Sequence, residues 1–230
     1  MAKKKKQDQT EDNLVAVEVA LTKTERFIED NKNIILYVVL GIAVIVLAVM
    51  GYQRYIHLPK EREAQEQMYM AEMYFEKDSF NLALQGDGSS YGFLDIIDEY
   101  GNTRSGNLAH YYAGICYLNL KNYDEAIDQL KDFNGDDEMI APMAYGNIAN
   151  AYLEKGETKE AAKYYRKAVN ASPNEFTAPE YLLRLGLTYE ILEKYEDALD
   201  SYRKIKKEYP NSFIGQSIEK YIARAEAKNS

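Results

Sequence analysis

The sequence predicts an all-α protein in which antiparallel helix pairs stack in a row behind a single N-terminal transmembrane helix. Three observations lead there. Between residues 107 and 212 one pattern occurs three times: Tyr117, Tyr152 and Tyr189 stand 35 and 37 residues apart, and Ala126, Ala161 and Ala198 keep the same two offsets. Self-similarity at that period marks a stacked-repeat architecture. Ahead of the repeats, residues 34–52 form a 19-residue run without a charge. As a helix, that run covers ~28 Å, close to the hydrocarbon thickness of a bilayer. The stretches flanking the repeats, 53–79 and 213–227, carry apolar residues three and four apart, the spacing of one helical face.

Taken in order, residues 1–13 are a polar tail that carries Lys3, Lys4, Lys5 and Lys6, and such a composition predicts disorder. Residues 14–31 place Leu14, Val17, Leu21, Thr24 and Ile28 on one helical face, with Thr22 and Glu25 spaced as a capping box. This is an amphipathic helix for a membrane surface or a partner, and with the tail it makes a cytosolic segment, 1–33. The apolar run 34–52 has Tyr37 and Tyr52 near its ends, where interfacial tyrosines belong. It is too long for a cleavable signal and no A-x-A site follows, so it reads as a retained signal anchor. Seven lysines and arginines precede it, and three (Arg54, Lys60, Arg62) follow closely. That bias predicts a cytoplasmic N-terminus and repeats on the far side of the membrane, the periplasm in a bacterium.

Residues 53–79 continue as a helix with Ala64, Met68, Ala71 and Phe75 on one side. Ala71, Tyr74 and Ala83 echo the repeat signature, so 53–106 reads as a linker helix and a degenerate first copy. Residues 85–92 are loop by composition. Their G-x-G follows no strand and precedes no phosphate-binding lysine, which makes the segment an insertion. Residues 93–100 are expected to be the second helix of this copy. Each full copy between 107 and 212 reads as two helices around a short turn. Small residues (Gly114, Ala149, Gly186; Ala126, Ala161, Ala198) let the two backbones approach, and the tyrosines fill the space beside them. Pro173 and Pro210 stop the second helix, because proline lacks the N–H and clashes one turn back. Within 213–230, a last helix over 213–227 offers Ile214, Ile218, Tyr221, Ile222 and Ala225 as a cap for the final pair.

These residues resemble the tetratricopeptide repeat, with Tyr145 or Leu182 where the family often has tryptophan. Copy one departs late: Phe133 replaces the second small residue, and Glu138 stands in the place of the proline. The resemblance implies a right-handed superhelix whose first helices line a concave, protein-binding groove. Its implied groove positions are Leu108, Tyr111, Ile115 and Leu118, then Met143, Gly146, Asn150 and Leu153, then Leu183, Leu187 and Ile191. Some members clamp a peptide's terminal carboxylate with lysines, asparagines and an arginine. Asn147 and Arg184 match two clamp positions, while Tyr111, Ile115 and Glu180 occupy the others. A groove of this kind is expected to take an amphipathic or extended apolar segment.

The chain carries a net charge of −9, and residues after 52 hold 21 basic against 30 acidic side chains. An acidic domain repels phosphate backbones, which argues against nucleic-acid binding. Cys116 is the single cysteine. It is expected to be a buried, inert thiol, and a lipidated-cysteine anchor is not expected. His57 and His110 are far apart, and none of the familiar catalytic or metal motifs occurs. The reading is a protein that is not an enzyme, with no cofactor, no metal and no small-molecule substrate. Its layout of charged tail, anchor and acidic repeats resembles the membrane-anchored ancillary subunits of the bacterial SecYEG translocon. That resemblance implies a bacterial inner-membrane protein whose repeats meet periplasmic chaperones or emerging chains at the translocon exit. A cell-envelope or cell-division scaffold remains open, as does a receptor for targeting peptides if the topology is reversed.

Overall fold

The computed structural model describes residues 27–28, 30–135 and 137–229. The lysine tail, the Thr22–Glu25 capping box and most of the amphipathic stretch lie outside the described residues. The chain divides into two compact units, one ending at Leu58 and one beginning at Pro59.

In the first unit, α1 (residues 30–52) leads into a π-helical turn, Gln53–His57. Its apolar side chains, among them Ile34, Leu40, Ile45 and Leu47, are exposed on every side. A helix apolar all round must be covered by something other than water, and its length suits a bilayer. Among the described residues, the one candidate membrane span lies in the helical stretch Asp30–Glu76, and no part of its apolar window is buried in protein.

The second unit takes in α2 (Leu58–Glu76) from its second residue on, then α3 (Phe80–Gln85), α4 (Phe93–Tyr100), α5 (Arg104–Asn119), α6 (Tyr123–Asp132), α7 (Ile140–Glu154), α8 (Thr158–Ala171), α9 (Ala178–Ile191), α10 (Tyr195–Glu208) and α11 (Glu219–Asn229). The pairs α5/α6, α7/α8 and α9/α10 each pack internally, and each second helix packs on the first helix of the next pair. Close approach within a pair depends on glycine. A Cβ on Gly186 would sit 2.2 Å from the Tyr202 ring, and one on Gly114 would sit 2.5 Å from Leu130.

The turns that follow α2, α5, α7 and α9 close in the same way. The N–H groups of Ser79, Asn122, Glu157 and Lys194 donate to the carbonyls of Tyr74, Tyr117, Tyr152 and Tyr189 at 2.9, 2.9, 2.8 and 2.9 Å. The residue before each donor has a left-handed backbone: Asp78, Lys121, Gly156 and Glu193, with φ of 55, 63, 77 and 57°. This is the helix-ending motif that satisfies orphan carbonyls. The signature tyrosine therefore supplies both a packing ring and the carbonyl that closes the turn. The α2–α3 turn shares this geometry with the three full pairs.

Two elements differ from the sequence reading. The second helix beside α2 is not 93–100 alone, because α3 supplies Ala83 and a loop separates it from α4. The loop closes tightly: a Cβ on Gly92 would lie 2.3 Å from the Leu84 carbonyl oxygen. Asp87 holds it, accepting from the Tyr74 hydroxyl at 2.7 Å and from the Ser89 and Ser90 N–H groups at 2.9 and 2.8 Å. These bonds, that of Tyr74 foremost, hold its carboxyl well below the usual range. The C-terminal helix begins at Glu219 rather than 213, after a 3-10 turn at Gly215–Ser217. Gly215 lies so close to Tyr209 that a Cβ would meet its carbonyl oxygen at 2.1 Å, and its N–H donates to Ser212 Oγ at 2.9 Å. Ile218, Ile222 and Ala225 are buried, and α11 packs on α10. Cys116 is buried in the N-terminal cluster, which pushes its thiol up to about 12.

Candidate protein-binding groove

Helices α5, α7 and α9 stand side by side, and the residues that join them define the groove. The Tyr181 ring of α9 lies over Gly146 of α7, where a Cβ would come within 2.1 Å of it. Gly146 is therefore buried between helices and does not face the groove, a correction to the sequence reading. Its lack of a side chain sets how closely α7 and α9 approach.

A polar network runs across the three helices. Burial raises the Tyr111 hydroxyl on α5, and a hydrogen bond from the Asn147 side chain on α7 opposes that rise. Asn150 Nδ2 donates to Asn147 Oδ1 at 3.2 Å. Asn150 Oδ1 accepts from the Tyr165 hydroxyl at 2.6 Å and from Arg184 Nη1 at 3.3 Å. Arg184 Nε in turn donates to Glu180 Oε1 at 2.6 Å. Sequence reasoning singled out Asn147, Asn150 and Arg184 but not Tyr165. The network joins α5, α7, α8 and α9, and no local spacing reveals that. Glu180 neutralises the arginine at the clamp position, so the groove lacks a free guanidinium for a terminal carboxylate.

Around this network lie the apolar positions. Leu108, Tyr111, Ile115, Leu118, Leu153, Leu183 and Leu187 are half-buried, while Met143 and Ile191 are exposed, Ile191 at 64%. Tyr111, Ile115, Leu118, Leu153 and Leu183 rest on the main core, and Leu108 rests on the N-terminal cluster. α11 reaches α9 through Arg224 and Lys228, which pair with Glu190 at 2.6 and 3.6 Å, yet it leaves the neighbouring Ile191 open. Away from the groove, His110 Nδ1 lies 2.8 Å from Gln129 Oε1, which accounts for that histidine by a structural bond.

Family models described as tetratricopeptide repeat match residues 108–134, 144–175 and 180–212. BBSome complex member BBS4 from Bos taurus is 36% identical over 90 residues, covering 38% of this chain and 16% of that protein. Tetratricopeptide repeat protein 29 from Macaca fascicularis is 26% identical over 118 residues, covering 48% of this chain and 25% of that protein. The chain thus spans a quarter or less of the length of these curated relatives. Among solved structures, the MamA protein matches with a TM-score of 0.52 at 15% identity, covering 72% of this chain and 88% of that one. The TPR-like repeats of a Podosopora anserina kinesin light chain match with a TM-score of 0.56 at 14% identity, covering 74% and 87%. At those identities the likeness is one of fold. Family models and fold agree on the same helix pairs, and α5 to α10 of this chain are similar to tetratricopeptide repeats.

Proposed function

We propose that this protein is a membrane-anchored scaffold that holds other polypeptides in the groove of α5, α7 and α9 without altering them. The observation that carries this reading is the row of half-buried apolar side chains on those three helices, centred on Asn147 and Asn150. A half-buried row keeps apolar area available to a partner, and asparagine amides suit the backbone of an extended segment. The apolar, uncovered α1 supports the anchor. The seven-to-three excess of Lys and Arg before it supports a cytoplasmic N-terminus with the repeats in the periplasm. In this reading the repeats sit at the exit of the Sec translocon and receive emerging chains or periplasmic chaperones. The naming of BBS4 as a complex member supports the broader idea that such repeats work inside assemblies.

The test is photocrosslinking from Tyr111, Leu153 and Leu187 in intact membranes, followed by identification of the adducts. Translocon subunits or periplasmic chaperones are expected. Capture confined to envelope-synthesis or division proteins replaces the translocon reading with an envelope scaffold. Protease added outside spheroplasts is expected to digest the repeats; protection reverses the topology and favours a receptor for targeting peptides.

A further inference from the structure

Copy one departs from the repeat pattern after α6, and that departure opens a cavity away from the groove. Leu130, Ala144 and Ile148 form its floor, and Phe133 and Gly135 of the connector close one side. Tyr145 of α7 and Tyr164 of α8 also line it, as do the exposed Lys131 and Lys167. Its volume is about 200 Å³. That falls below the ~300–1,000 Å³ of pockets for drug-sized ligands. It exceeds the ~150 Å³ that suffices for a benzene ring.

The aromatic wall is ordered. Tyr164 stacks on Tyr152 with centroids 5.4 Å apart and stands 6.5 Å from the Tyr145 ring. Lys167 Nζ lies 4.5 Å from the Tyr164 centroid and 5.7 Å from that of Tyr145. Lys131 Nζ donates to the Tyr152 hydroxyl at 3.3 Å. These contacts position both ammonium groups, and the Asp128 charge, three residues earlier on α6, adds to the attraction on that of Lys131. Among the described residues neither lysine has a carboxylate within 4.0 Å, whereas the neighbouring Lys155 is bound by Asp124 and Glu157 at 2.6 and 2.9 Å. The nearby Asp137 is engaged by its own connector, accepting from the Met139 and Ile140 N–H groups at 2.8 Å each.

The other copies fill the equivalent positions differently. Where copy two has Tyr145 and Tyr164, copy one has His110 bonded to Gln129. Copy three has Leu182, with Ser201 donating to the Asp197 carbonyl at 3.0 Å. Two exposed lysines without a carboxylate in contact, beside a hollow of one-ring size lined by aliphatic and tyrosine side chains, suit a ligand with a carboxylate on an apolar or aromatic group.

We infer that this cavity is a second binding site, independent of the groove, for a carboxylate borne on a ring-sized apolar group. Two sources share that chemistry: a free aryl-alkanoic acid, or the C-terminus of a polypeptide ending in a large apolar residue. The probes are 3-phenylpropionate, an N-acetylated tripeptide ending in phenylalanine with a free carboxylate, and the same tripeptide as its C-terminal amide. Each is titrated calorimetrically into the full chain in detergent micelles. A single saturable site is expected for at least one acid, at least tenfold tighter than the amide. Lys131→Gln and Lys167→Gln are each expected to weaken it at least fivefold while leaving the thermal midpoint within a degree or two. If the tripeptide acid binds more tightly, the source is a chain terminus; if phenylpropionate does, it is a free acid. The proposal is overturned by equal binding of acid and amide, by wild-type affinity in both lysine variants, or by no saturable heat. Groove crosslinking is unaffected by any of these results, so the two proposals fail separately.

Discussion

Glu61 and Ser105 are joined across 44 residues of sequence, with Glu61 Oε1 accepting the Ser105 N–H at 3.1 Å and its hydroxyl at 2.8 Å. Glu61 Oε2 takes the Arg104 N–H at 2.6 Å, and Thr103 Oγ1 takes that of Gly106 at 2.9 Å. The open N–H groups at the start of α5 are thus satisfied largely by a carboxylate from α2, placed where the helix dipole favours negative charge. Glu61→Gln keeps the shape and removes the charge and one acceptor. It is expected to lower stability by about 1–2 kcal/mol, measured by urea unfolding of the full chain in micelles with far-UV circular dichroism. An unchanged midpoint contradicts this role.

The four like turns carry their own expectation. Lys121 and Glu193 occupy a left-handed backbone that costs a side-chain-bearing residue ~1–2 kcal/mol. Part of that is recovered on substitution by glycine, less the entropy glycine adds to the unfolded chain. Glu193→Gly is therefore expected to raise stability by about 0.5–1 kcal/mol, and Gly156→Ala to lower it by about 1 kcal/mol. The same unfolding curves check both signs.

Gly186→Ala tests the close contact of α9 and α10. Alanine is the better helix former, but its Cβ falls 2.2 Å from the Tyr202 ring. That ring is fully buried and its hydroxyl donates to Glu190 Oε1 at 2.7 Å, so it has no room to withdraw. The expected result is a loss of about 1–3 kcal/mol; a gain of the size helix propensity gives would show that the pair can separate freely.

Glu190 links stability to pH. Burial, its side chain being 8% exposed, raises its pKa. The hydrogen bonds from Arg224 and Tyr202 and the charges of Arg224 and Lys228 outweigh burial and lower it below 4.5. A folded-state pKa below the unfolded one gives stability that is full above the unfolded value and is lost as pH falls through the folded value. Unfolding midpoints of the wild type are expected to drop below about pH 4.5. Glu190→Gln is expected to be less stable at pH 7 and to show a shallower fall; parallel curves for the two proteins contradict the linkage.

What the sequence makes legible here follows from what is local. The 35- and 37-residue spacings gave the helix pairs, because the small residues and tyrosines meet within a pair. The turns at Lys121, Gly156 and Glu193 follow from the repeat pattern, but only at Gly156 does a glycine announce the left-handed backbone that Asp78, Lys121 and Glu193 also adopt. Helix breaks at Gln85 and before Glu219 depend on backbone contacts of Gly92 and Gly215, and composition alone does not show them. In the groove, the resemblance placed Gly146 on the open face, but the Tyr181 ring from the next pair covers it. The Tyr165–Asn150–Arg184 network has the same origin: it forms between pairs, where no periodicity within one copy reaches.

The groove itself is tested by where a bound chain touches the repeats. Photocrosslinkers placed singly at Leu153 and at Lys163 of the full-length protein in intact membranes give two adduct yields to compare. Lys163, with its side chain 59% exposed, is the more accessible of the two, so accessibility alone favours it over the half-buried Leu153. A groove that holds polypeptides gives several-fold more protein adduct from Leu153. Equal yields, or more from Lys163, contradict it.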